Sequence, residues 1–125
     1  MHIQESGEMY LEHIYMLEKK GGLVRATDVA AAAGYSKPSV SRAMGLLKTA
    51  GLISVGEDGG IRLTEDGRRI AHRIYERHTV LTGLFVKLGV PEDVATRDAC
   101  KIEHDLSDTT FDAIRRFAET LSSLS

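Results

Sequence analysis

Residues 26–63 read ATDVAAAAGYSKPSVSRAMGLLKTAGLISVGEDGGIRL, and this stretch decides the fold. Thr27 is placed to cap a short helix over Asp28–Ala33, and Gly34 suits the left-handed turn that ends it. Ser36 is a second cap. Pro38 falls in the first turn of the next helix, where its missing N–H costs nothing. That helix is expected to run to about Ala50, with Val40, Met44 and Leu47 on one stripe and Gly51 closing it. Leu-Ile-Ser-Val, the Gly-rich run 56–60 and Ile-Arg-Leu then read as two short strands around a tight turn.

Working outward, Tyr10, Leu11, Ile14, Tyr15 and Leu17 recur at helical spacing over about Glu5–Lys20, and Gly21-Gly22 stops that helix. Thr64 caps a long helix over about Glu65–Leu88 whose stripe is Ile70, Ile74, His78, Leu81, Phe85 and Leu88. Gly89-Val-Pro91 breaks it. A fifth helix is expected from about Pro91 to Asp105 and a sixth from Asp108 to Leu121. Ser107 caps the sixth, Phe111, Ile114 and Phe117 or Ala118 face inward, and the last four residues fray. Helix, helix pair and hairpin in this order make a winged helix-turn-helix. The fold class is therefore mainly α. Residues 1–63 are expected to form this winged helix-turn-helix domain, and residues 64–125 a second, helical domain.

Bulk properties bound the function. The net charge of −2 is more acidic than many nucleic-acid binders carry, but residues 21–63 hold five basic against three acidic side chains, a local +2. No apolar run spans a membrane and the N-terminus has no signal-peptide pattern. Cys100, the single cysteine, has no internal partner and fits a reducing compartment, so a cytoplasmic location without membrane contact is expected. There is no nucleophile elbow, phosphate loop or HExxH motif, which argues against an enzyme and against a small-molecule substrate.

The second helix of the pair would enter the major groove by its N-terminus. Ser36, Lys37, Pro38, Ser39, Ser41 and Arg42 stand there, with hydroxyls and helix N–H groups for phosphate oxygens and Arg42 for a guanine edge. Thr27, at the start of the preceding helix, and Arg62, on the hairpin, join the DNA-binding candidates. The blander alternative is that these residues only begin helices and face water.

Cys100-Lys-Ile-Glu103-His104 carries the other chemistry. At helical spacing, positions i, i+3 and i+4 share a face, so a thiolate, a carboxylate and an imidazole can meet one cation. The alternative is a buried cysteine beside a solvated Glu-His pair. A redox sensor acting through Cys100 without metal is the rival function.

Five motifs run in order along the chain: Glu8-Met-Tyr-Leu-Glu12-x-Ile-Tyr15, Ser36-x-Pro-Ser-Val-Ser41, Leu63-Thr-x-x-Gly67, Arg77-His78, and Asp98-Ala-Cys-x-x-Glu-His104 with Leu106-Ser-Asp108. Together they resemble the diphtheria-toxin-repressor family of metal-dependent regulators. The resemblance implies a primary metal site of Met9, Cys100, Glu103 and His104, with Met9 acting through its sulfur or giving way to a water and its backbone carbonyl. It also implies that Glu12 and His78 match ligands of a second site in the manganese-sensing branch. His13 and His72 match no ligand position. Thr82 and Thr96 stand where the iron-sensing branch has ancillary ligands. The SH3-like domain of that branch is absent from the 125 residues.

The expectation is a repressor activated by Fe²⁺, or second by Mn²⁺, with Co²⁺, Ni²⁺ or Zn²⁺ substituting in vitro. It would bind a palindromic double-stranded DNA operator as a homodimer and control metal homeostasis genes. Phe85, Leu88, Phe111, Ile114 and Phe117 are the expected dimer surface.

Overall fold

The computed structural model describes residues 5–124. It contains α1 (Glu5–Lys20), α2 (Ala26–Ala33), α3 (Lys37–Thr49), β1 (Ile53–Val55), β2 (Ile61–Leu63), α4 (Glu65–Lys87), α5 (Glu92–Ile102) and α6 (Asp108–Leu124). The chain divides into two compact units between Arg73 and Ile74, so the break falls inside α4.

In the first unit, α1–α3 and the hairpin surround a core of Leu11, Ile14, Val29, Val40, Met44, Leu47, Leu52, Ile53 and Ile61. The strands are antiparallel, with Ile53 opposite Leu63, Ser54 opposite Arg62 and Val55 opposite Ile61. The Ile61 N–H donates to the Val24 carbonyl at 2.7 Å, tying the hairpin to the segment ahead of α2. Gly34 ends α2 at φ 74°, the left-handed conformation that glycine adopts without strain. Gly67 has a different reason: a Cβ there would collide with the Leu52 carbonyl oxygen, so only glycine lets the start of α4 lie against the hairpin. Thr64 caps α4 as expected, its Oγ1 accepting from the Gly67 N–H at 3.2 Å while donating to the Gly51 carbonyl at 2.7 Å.

The N-terminus of α2 differs from expectation. Arg25, not Thr27, is its N-cap, and the Asp28 carboxylate accepts from the Arg25 N–H at 2.9 Å. The acidic residue therefore holds the cap by reaching back, and the helix starts earlier than Thr27 allows.

In the second unit, Ile74, Leu81, Ala95, Ala99 and Phe111 form the core. Ser107 caps α6 through its Oγ, which accepts from the Thr110 N–H at 3.1 Å. Three expectations change here. First, α5 ends at Ile102, and Glu103 to Asp105 form a turn. Second, α6 continues to Leu124 instead of fraying after Leu121, and Ser122 Oγ accepts from Lys87 Nζ at 3.0 Å. Third, the expected dimer surface is only partly exposed: Leu88 and Phe117 are 69% and 56% exposed. Phe111 goes the other way. It is buried within its own unit with the Arg77 guanidinium 5.3 Å from its ring centre, and so is not a surface residue.

Candidate metal centre and nucleic-acid interface

A long α4 carries Arg77 and His78 side by side, and the turn after α5 carries Glu103 and His104. Glu103 is completely buried. His78 Nδ1 lies 2.9 Å from Glu103 Oε2; a carboxylate only accepts, so the imidazole N–H donates. His104 Nε2 approaches the other oxygen, Oε1, at 3.5 Å, too long for a strong hydrogen bond. Among the described residues, Oε1 has no hydrogen-bond partner. A buried carboxylate oxygen without a donor is unfavourable by about 1–3 kcal/mol or more. One carboxylate and two imidazoles thus converge with a negative charge left under-compensated.

The turn itself is held by Arg77, a residue the sequence reading used only as part of a motif. Its guanidinium is almost fully buried. Nη1 donates to the Glu103 carbonyl at 3.0 Å and to the Leu106 carbonyl, and Nη2 pairs with Asp108 at 2.6 Å. The only hint in the sequence was an arginine next to the apolar stripe of α4, one position before His78.

The remaining candidate ligands are placed as follows. Cys100 is exposed on the last turn of α5, one turn before Glu103. Glu103 is the C-cap of α5 and keeps helical geometry, its N–H donating to the Ala99 carbonyl at 3.0 Å, while His104 lies in the turn that follows. Met9 and Glu12 lie in the first unit, three residues apart and so on one side of α1. Glu12 is 6% exposed and Met9 is half-buried. Glu8, also buried, pairs with Arg73 at 3.0 Å, which sequence reading did not foresee. His72 shares a hydrogen bond with the Tyr15 hydroxyl at 3.0 Å, and no ligand role is drawn from it.

The donor set fits a first-row divalent cation. Carboxylate and imidazole are its ordinary protein ligands, and a thiolate or thioether shifts the preference away from magnesium and calcium. The orphaned Glu103 oxygen is the atom that such a charge would satisfy.

The start of α3 is built differently. Ser36 Oγ accepts from the Ser39 N–H at 3.3 Å and donates to Ser39 Oγ at 2.9 Å. Lys37, Pro38, Ser39, Ser41 and Arg42 are exposed, while Val40, Met44 and Leu47 turn inward, so α3 presents a polar face beginning at its N-terminus. Thr27 is exposed on α2. Arg62 is exposed on β2, and Asp58 lies 4.0 Å away in a solvated pair of little energetic weight. Tyr10, on the buried side of α1, packs 5.9 Å from the Tyr35 ring; burial first, and Tyr35 second, push its phenol above the ordinary value.

Two family models cover the chain. Residues 2–61 match "Iron dependent repressor, N-terminal DNA binding domain", and residues 64–123 match "Iron dependent repressor, metal binding and dimerisation domain". The transcriptional regulator MntR of Escherichia coli O157:H7 is 36% identical over 118 residues, covering 94% of this chain and 76% of that protein. The iron-dependent repressor IdeR of Mycobacterium tuberculosis is 32% identical over 119 residues, covering 94% of this chain and 50% of that protein. Among solved structures, a manganese-dependent transcriptional repressor in complex with manganese matches with TM-score 0.83 and 27% identity over 90% of this chain and 52% of that one. The manganese regulator SloR matches with TM-score 0.80 and 25% identity over 95% of this chain and 55% of that one. The chain thus spans about half the length of these solved structures. The sequence motifs, the winged helix-turn-helix and both domain matches agree: the chain belongs to the diphtheria-toxin-repressor family of metal-dependent transcriptional regulators.

Proposed function

We propose that this chain is a repressor whose homodimer binds a palindromic operator when Fe²⁺, or second Mn²⁺, is bound. In this reading residues 1–63 contact DNA and residues 64–125 hold the metal and the dimer. The buried, half-satisfied carboxylate of Glu103 is the observation that carries it.

Met9 and Glu12 from the first unit, with His78, Cys100, Glu103 and His104 from the second, are the proposed donors. A bound divalent cation would supply the positive charge that these donors balance. Glu103 brings a charge already stripped of water, and His78 fixes its orientation through Oε2. Arg77 keeps the turn in place by holding two of its carbonyls. Cys100 adds the sulfur that favours iron over manganese. In this reading, ligation by residues of both units couples metal binding to DNA binding. Moving a population from mostly inactive to mostly active takes about 10⁴-fold preferential binding, roughly 5.5 kcal/mol, within reach of sites that supply about 10 kcal/mol. Cys100 and His104 must lose protons to ligate, so affinity falls as pH drops.

The DNA face is Ser36, Lys37, Pro38, Ser39, Ser41 and Arg42, with Thr27 and Arg62 beside it. Exposed Leu88 and Phe117, with Phe85 and Ile114, are the proposed dimer surface; a two-fold pair then meets two half-sites.

The test is operator binding titrated under anaerobic conditions with Fe²⁺, Mn²⁺, Zn²⁺ and Co²⁺, wild type beside Cys100→Ser. Chelator is expected to release wild-type protein from the operator. Binding that ignores chelator but is lost on oxidation, and is immune to oxidant in Cys100→Ser, would establish a thiol switch instead.

A further inference from the structure

We propose that Tyr35 is a positioning residue that opposes metal ligation by Met9 and so sets the metal level at which the chain takes up DNA; this rests on the reading of Met9 as a ligand. Three observations, all inside the first unit, carry it. The Tyr35 hydroxyl donates to Met9 Sδ at 4.0 Å. The Tyr35 ring packs against Tyr10, the next residue along α1, with ring centres 5.9 Å apart and planes tilted by 58°. Tyr35 also lies in the turn between α2 and α3 and directly precedes Ser36, the N-cap of α3. One side chain, itself half exposed, therefore touches two successive residues of α1 from the backbone position that starts the DNA-facing helix.

The chemistry gives the link a sign. A thioether sulfur is a weak acceptor, so the contact is readily exchanged. A sulfur that shares an electron pair with a cation carries less negative charge and attracts a hydroxyl proton less. Ligation thus weakens the Tyr35 contact, and by reciprocity the contact weakens ligation. Release of Tyr35 frees the turn that sets the N-terminus of α3.

The experiment uses the full chain carrying Tyr35→Phe, which keeps the ring and removes only the donor. Protein labelled with [¹³C-methyl]methionine, kept in chelator, gives the Met9 methyl resonance, identified by its loss in Met9→Leu. Co²⁺ affinity and operator affinity are measured in chelator and at saturating Co²⁺. Tyr35→Phe is expected to move the Met9 methyl resonance and leave those of Met16 and Met44 in place. Co²⁺ should bind about two- to tenfold tighter, operator affinity in chelator should rise by a similar factor, and operator affinity at saturating Co²⁺ should stay unchanged. An unmoved Met9 resonance overturns the proposal. So does unchanged Co²⁺ affinity with weaker operator binding at saturation, which would make the hydroxyl a DNA contact. If wild-type operator binding is insensitive to Co²⁺ and Fe²⁺, the metal reading fails and the proposal with it. If the wild-type switch is intact and Tyr35→Phe behaves identically, the proposal alone fails.

Discussion

At the start of α3, polar side chains face solvent and bond mainly to one another: Ser36 to Ser39, with Lys37, Ser41 and Arg42 standing outward. In the turn after α5, buried Arg77 and Glu103 bond to backbone and to neighbouring side chains: Arg77 to two carbonyls and the exposed Asp108, and Glu103 to His78. The first arrangement leaves charge and hydroxyls available to a ligand that arrives from outside at little conformational expense. The second fixes one carboxylate in a buried position and leaves one of its oxygens without a hydrogen-bond partner among the described residues. Substitutions in the α3 region should therefore change binding without changing the fold, while those around Glu103 should separate into ones that break the turn and ones that remove only a charge.

The largest effect is expected at Arg77. Arg77→Met leaves the Glu103 and Leu106 carbonyls without their donor and should lower the unfolding free energy by about 3 kcal/mol in urea denaturation. A loss below about 0.5 kcal/mol would show that the turn holds itself. Next comes Glu103→Gln, which keeps the shape and removes the charge. Metal affinity by isothermal titration should fall about ten- to a hundredfold. The melting midpoint in chelator should hold or rise, because a buried charge lacking a full set of donors has been neutralised. Equal metal affinity would erase the distinction drawn between the two regions.

Arg42→Ala tests the other region. Operator affinity should drop by about 1–3 kcal/mol with relaxed base preference, and stability should stay within about 0.5 kcal/mol of wild type. If stability falls instead, the exposed face of α3 is structural. The smallest effect is Ser36→Ala, which removes the N-cap acceptor and should destabilise by about 1 kcal/mol in the same urea assay.

The same contrast explains what the sequence revealed. Helix starts at Ser36, Thr64 and Ser107 are local events, each settled by one hydroxyl and an N–H three residues on, and all three were legible. The α2 cap was misread because Asp28 reaching back to Arg25 competes with Thr27, and both are plausible from spacing. The end of α5 was misplaced because what stops it is a turn clamped by Arg77, twenty-six residues earlier than Glu103. Periodicity named Glu103 and His104 as candidate ligands; Glu103 holds helical geometry at the end of α5, and His104 falls in the turn beyond it. It also offered Phe111 both as an inward residue and as dimer surface, and only its burial within its own unit decides between the two. Glu8 with Arg73, and Tyr35 with Met9, are pairings across long separations that no local pattern encodes.

Anomalous diffraction from crystals of the protein loaded anaerobically with Fe²⁺ or Mn²⁺ tests the central claim most directly. The predicted map places an ion against the Glu103 carboxylate, with His104 and Cys100 among its other ligands. An ion bound elsewhere, with Glu103 Oε1 still lacking any partner, would contradict it.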